Sequence, residues 1–242
     1  MQTGPFNTPI TLASRPAMAV FWAMVAPSAL TMAVVFLTNF VSNNWASAQF
    51  TSQGTMAGQS LLTSIGFLIC FAAMSIWSER IGAGAFAGAI RVSPDWVGIA
   101  ALTGPILFSG TTFLLSLIVS ADGTWWLRPE VADTLPPITE ITILMVIFAV
   151  VLVPLVEEVA FRGIGLGCLL ARGWDPALGV LITTIGFTAL HSSYSPLGLI
   201  PIFVTGLYLG ALRVLSGSVA ASLIAHMSAN FVIMLGALLA GI

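Results

Sequence analysis

At 242 residues, the chain is 58% hydrophobic and 7% charged, with a mean hydropathy of +1.04 and a formal net charge of −2. So little polar composition excludes an ordinary soluble domain. The absence of any lysine excludes the basic patch that nucleic acid or an anionic membrane surface would need.

Apolar runs occupy 17–41, 60–77, 96–120, 141–170, 176–191, 197–212 and 218–242. The first follows Arg15 and is about 25 residues long, against about 7 to 15 for the apolar region of a secretory signal, so an uncleaved first helix is expected. The runs are continuously apolar rather than alternating, which fits helices and not a barrel, because a helix satisfies its own backbone in lipid. The expected fold is all-α: a polytopic membrane helix bundle of seven transmembrane helices, or eight if the long fourth run breaks near Gly163, Gly165 and Gly167 instead of tilting. One integral membrane domain covers 1–242, with 141–242 as its motif-bearing core and 1–140 as accessory helices and loops.

The glycines within 82–88, those at 163, 165 and 167, and Gly206 with Gly210 follow no strand, so they read as close helix packing and not as a dinucleotide fingerprint. Cys70 and Cys168 sit in apolar runs and read as buried thiols. Trp125 and Trp126 read as interfacial anchors. With seven alternating spans, Arg15, Arg80, Arg91, Arg162, Arg172 and Arg213 share one side. The segment 122–140 sets Arg128 against Asp122, Glu130, Asp133 and Glu140 on the other, which points to a cytoplasmic N-terminus.

The fourth run contains Glu157, Glu158 and Arg162, and charge at membrane depth requires a partner, a proton or a cavity. Glu158 and Arg162 are four apart and can pair on one helical face, while Glu157 points about 100° away. The chain's two histidines fall in later runs, His191 in the fifth and His226 in the seventh, with Asn230 one turn beyond His226. At about 1.5 Å per residue, Glu158 and His191 lie roughly 21 and 23 Å from the 172–175 turn, and His226 and Asn230 roughly 14 and 20 Å from Gly217. Ignoring tilt, these residues share one layer. A carboxylate beside a histidine there can take a proton from water attacking a carbonyl, and His226 and Asn230 can face the oxyanion.

Glu157, Glu158 and Arg162 spell EExxxR, Phe187 and His191 spell FxxxH, and His226 and Asn230 spell HxxxN. In this order the motifs resemble the CPBP family of intramembrane glutamate proteases, which includes type II CAAX prenyl endopeptidases and bacteriocin-processing or immunity-type proteins. The resemblance covers 141 onward. It implies that Glu157 activates water with His191, that Glu158 and Arg162 hold the pair in place, that His226 and Asn230 form the oxyanion site, and that no cofactor or metal takes part. It also implies a peptide or protein substrate, lipid-modified or not, reached within the lipid bilayer.

Other readings attach to the same residues. Glu158 and Arg162 alone form a helix-stabilising pair, either histidine alone a hydrogen bond between helices, and Phe187 packing. Two histidines and a glutamate also suit zinc, though HExxH is absent. Carboxylate and histidine chains serve proton or ion pathways as well, but no inverted repeat is visible. The alternative of another class is a catalytically silent scaffold or binding subunit that keeps the fold and docks to a membrane-protein partner.

Overall fold

The computed structural model describes residue 69 and residues 91–119, 146–191 and 194–240. The expected span at 17–41, that at 60–77 apart from residue 69, Cys70, the 82–88 glycines and the 122–140 segment with its tryptophans lie outside the described residues. What is described is helical, with three helices long and apolar enough to cross a membrane: Pro94–Leu117, Leu199–Ser216 and Val219–Gly236.

Helix α1 spans Pro94–Val119. Proline suits the first helical position, where its missing N–H would have no intrahelical partner. Thr103, Thr111 and Thr112 return their hydroxyls to the carbonyls of Ile99, Leu107 and Phe108, which satisfies them without water.

From residue 146 onward the fourth apolar run forms one unbroken rod. A π-helical stretch, Phe148–Leu152, leads into α2, Val153–Glu158; a second, Val159–Gly165, leads into α3, Leu166–Ala171. The rod does not break at Gly163, Gly165 and Gly167; the anomaly there is the wider π turn. It ends where Gly173 takes φ 75°, with Gly173 N–H donating to Leu170 O and Trp174 N–H to Leu169 O. These two bonds close the last turn as a left-handed glycine cap does. Asp175 then caps α4, Pro176–Ala189, accepting from Leu178 N–H at 3.1 Å.

Helix α5 spans Leu199–Ser216 and ends at Gly217, φ 69°. Ser218 Oγ accepts from Ala220 N–H at the start of α6, Val219–Ala240.

Close approaches fix the helix directions. A Cβ at Gly206 would meet Thr184 at 2.8 Å and one at Gly210 would meet Val180 at 2.6 Å, so α5 runs antiparallel to α4, with these glycines serving close packing as the sequence suggests. Gly179 faces Leu166 and Leu169, and Gly186 faces Phe161, which sets α4 antiparallel to the rod. A Cβ at Gly104 would run into Ala225 O, which brings α1 onto the backbone of α6. Thr103 and Tyr208 hydroxyls pair between α1 and α5.

The bundle therefore has two ends. One, the turn face, holds the start of α1, the Gly173 turn and the Gly217 turn. The other, the far face, holds the ends of α1 and α6, the start of the rod and the connection from α4 to α5. Between them the rod packs against α4 and α5 through Val156, Phe161, Ile164, Cys168, Phe187 and Ile202. Cys168 is a buried free thiol. Arg162 and Arg213 are 1% and 3% exposed. They are not loop charges, so among the described residues the sidedness read from arginines rests on Arg91 and Arg172, while Arg15 and Arg80 lie outside them.

Candidate active site

The two neighbouring carboxylates at the end of α2 enter different surroundings. Glu158 is completely buried, and its Oε1 accepts from Arg162 Nη1 at 3.0 Å and meets His226 Nδ1 at 3.0 Å. Arg162 reaches on with Nη2 to Gly206 O at 2.9 Å, and its guanidinium lies 4.5 Å from the centre of the Phe187 ring. One guanidinium thus joins the rod to α5 and α4, by an ion pair, a carbonyl and a cation–π contact.

Glu157 lies one residue earlier and faces the cavity. Its Oε1 is 3.9 Å from His191 Nε2 and its Oε2 is 3.7 Å from His226 Nε2; Oε2 has no hydrogen-bond partner among the described residues. Both separations exceed direct hydrogen-bonding distance, yet one water molecule bonded to both partners spans them.

The two imidazoles are held differently. His191 Nδ1 lies 2.9 Å from Phe187 O. A carbonyl only accepts, so Nδ1 carries a proton, and in the neutral form of the ring the Nε2 facing Glu157 is bare. His226 Nδ1 lies against the Glu158 carboxylate, which also only accepts, so this ring too is protonated at Nδ1. Asn230 Nδ2 donates to Ala149 O at 2.8 Å, tying α6 to the first π-helical stretch.

These groups border a cavity of about 730 Å³. Glu157, His191, His226 and Asn230 all line it, whereas Glu158 and Arg162 do not. The six residues singled out in the sequence therefore separate into four at the cavity and a supporting pair behind it. Most of the remaining lining is apolar, including Phe108, Val153, Ile202 and Ile233.

Phe187 does more than pack. Its ring stands 4.8 Å from His191, 5.8 Å from His226 and 5.7 Å from Phe161, in addition to its contact with Arg162. Thr205 and Tyr194, which carry no motif, also line the cavity; Tyr194 donates its N–H to His191 O and places its ring 5.8 Å from that histidine. Only helix periodicity could have pointed to Thr205, which follows Gly198, Pro201 and Ile202 on one face of α5.

Glu157, His191 and His226 have the donor types of a zinc site. Among the described residues, no three His, Cys, Asp or Glu side chains are grouped as metal ligands.

Fold and site together define an integral membrane helix bundle built around a buried carboxylate–histidine centre. Residues 139–232 match the family model described as type II CAAX prenyl endopeptidase Rce1-like, a protease family. The resemblance carried by the three motifs therefore holds over this region. The chain is also 33% identical over 138 residues to a protein of Escherichia coli named "Uncharacterized 24.3 kDa protein". That similarity spans 55% of this chain and 62% of the relative. No solved structure matches the chain.

Proposed function

We propose that the protein is an intramembrane endopeptidase that hydrolyses a peptide bond with water activated by Glu157. The observation that carries this reading is the position of Glu157: a carboxylate on a largely apolar cavity, within 3.9 Å of two imidazole Nε2 atoms and, among the described residues, without a hydrogen-bond partner for Oε2. A water there donates one hydrogen to Glu157 and the other to His191 Nε2, leaving a lone pair for the substrate carbonyl carbon. As the C–O bond forms, Glu157 takes the proton; as the C–N bond breaks, it returns that proton to the leaving amine.

His226 suits the developing oxyanion. With its Nδ1 proton directed to Glu158, the ring must carry a second proton, on Nε2, to donate there. Nε2–H then donates to the oxyanion, beside the amide hydrogen of Asn230 that Ala149 does not use. Glu158 and Arg162 position His226 and the rod. The apolar lining suits an apolar peptide segment, with or without a lipid modification.

The test is cleavage of membrane-protein and peptide libraries by the purified chain in lipid, compared with Glu157→Gln and His191→Ala. Loss of cleavage in both, with normal assembly and with wild-type activity surviving chelation, supports the reading. Stoichiometric zinc required for turnover would replace the metal-free mechanism. Full biological function in both variants would replace the protease by a docking subunit.

A further inference from the structure

The cavity has two unlike walls. Beyond Asn230, α6 lines it with Val232, Ile233 and Met234, whereas α1, besides two phenylalanines, brings Ser109, Thr112 and Ser116 to it. The three hydroxyl residues are spaced by three and four positions, so they share one face of α1. Helix α1 lies outside the stretch 139–232 that matches the family model, and none of the three motifs reaches it.

What these hydroxyls offer is decided by the bonds they already make. Thr112 Oγ1 donates to Phe108 O at 2.9 Å, and Ser116 Oγ donates to Phe113 O at 2.7 Å. A hydroxyl has one hydrogen and two lone pairs, so both residues have given their hydrogen to their own helix and keep lone pairs with which to accept. In an apolar interior this matters for one kind of ligand. An extended peptide carries an N–H at nearly every residue, and each one that enters without an acceptor is costly. A hydrocarbon chain needs no acceptor.

Register sets the three residues beside the reacting groups. Helices α1 and α6 both start at the turn face, and among the described residues no other pair of helices packs as extensively. Gly104 meets Ala225 between them. Five residues further along each helix, Ser109 is level with Asn230, one turn past His226. From Ser109 to Ser116 the rise is roughly 10 Å, the length of about three residues of extended chain. Thr112 and Ser116 are roughly 6 Å apart along the axis, close to the roughly 6.6 Å between alternate amides of a strand, which point the same way.

We propose that Ser109, Thr112 and Ser116 recognise the backbone of the substrate. Thr112 and Ser116 accept alternate N–H groups of an extended segment, and Ser109, level with Asn230, serves the amide nearest the scissile bond, while the side chains of the segment meet the apolar remainder of the cavity. The substrate class is therefore a locally unfolded polypeptide segment, selected by its free backbone amides and not by one particular side chain. The scissile bond rests on the protease reading of the site; recognition of an extended backbone stands apart from it.

The test measures binding to the full chain in lipid nanodiscs, in the Glu157→Gln background so that no peptide is consumed. Two probes are compared, each corrected for uptake by empty nanodiscs. One is a fluorescein-labelled octapeptide of alternating Ala and Leu; the other is its counterpart with an ester oxygen in place of each internal N–H, which keeps length and side chains but removes the donors. At about 2- to 10-fold in affinity for each hydrogen bond, the amide peptide is expected to bind at least tenfold tighter than the ester. In the triple variant Ser109→Ala, Thr112→Val, Ser116→Ala that ratio is expected to fall at least threefold, whereas Thr112→Ser, which keeps the hydroxyl, leaves it unchanged. Should the triple variant not fold, Thr112→Val alone, which keeps the shape of the side chain, is expected to lower the ratio about twofold or more. A ratio below tenfold before substitution, a smaller fall than these, an equal loss in Thr112→Ser, or no binding of the amide peptide overturns the proposal. Amide-selective binding without peptide cleavage by the parent chain would fault the protease reading alone, and cleavage without amide selectivity would fault this proposal alone.

Discussion

Glu158 and Glu157 are adjacent in the chain but occupy opposite kinds of environment. Around Glu158, Arg162 and His226 each approach to 3.0 Å, and Arg162 extends the network to Gly206 and Phe187. Around Glu157, the two nearest imidazole nitrogens stand back at 3.7 and 3.9 Å, on a cavity that can admit a substrate. A tightly paired buried charge fixes structure, whereas an underpaired one beside a cavity retains its capacity for chemistry. The helix supplies both in successive residues because consecutive positions point about 100° apart.

Substitutions can break or sharpen this contrast. The largest effect on stability is expected from Arg162→Leu, which strands the Glu158 charge at zero exposure; about 3–5 kcal/mol is the usual consequence of removing one partner of a buried pair. Chemical unfolding in detergent should show it, and an unchanged midpoint would mean that the pair holds nothing together. Next, Asn230→Ala is expected to lower kcat about 10²–10³-fold if its free amide hydrogen faces the oxyanion; a change confined to KM would assign it to binding. Gly210→Val should destabilise by about 1–3 kcal/mol through overpacking against Val180, a loss visible in the same unfolding curves with the cavity residues untouched. The smallest expected effect is that of Phe187→Leu, which retains apolar bulk but removes the cation–π contact to Arg162, a contribution of about 0.5–2 kcal/mol. Equal stability and equal turnover would reduce Phe187 to the packing role its sequence position suggests.

Much of this site was legible because membrane burial makes polar residues conspicuous. Glu158 and Arg162 were paired by spacing alone, and they do pair. Rise per residue put Glu158 and His226 roughly 7 Å apart in depth, yet they touch at 3.0 Å. Depth arithmetic omits helix tilt and the two π-helical stretches, which have no recognised sequence pattern and change both register and rise. The sequence suggests only packing for Phe187, because an aromatic residue in an apolar run gives no sign that four partners converge on it. Thr205 and Tyr194 are inconspicuous in the sequence for a related reason: one hydroxyl in a run has no partner at helical spacing to mark it. His226 and Asn230 share a helix face as expected, but each also holds a neighbour, Glu158 and Ala149 respectively. Such supporting bonds depend on helices distant in sequence, so spacing within one motif could not reveal them.

The contrast between the two glutamates is tested most directly by measuring peptide cleavage and thermal unfolding together for Glu157→Gln and Glu158→Gln in the same lipid. The account predicts that Glu157→Gln unfolds within a few degrees of the parent while its cleavage rate falls about 10²–10⁴-fold. Glu158→Gln, in contrast, should lose stability, with its remaining activity limited by the folded fraction. Cleavage at the parental rate by folded Glu157→Gln would contradict the account.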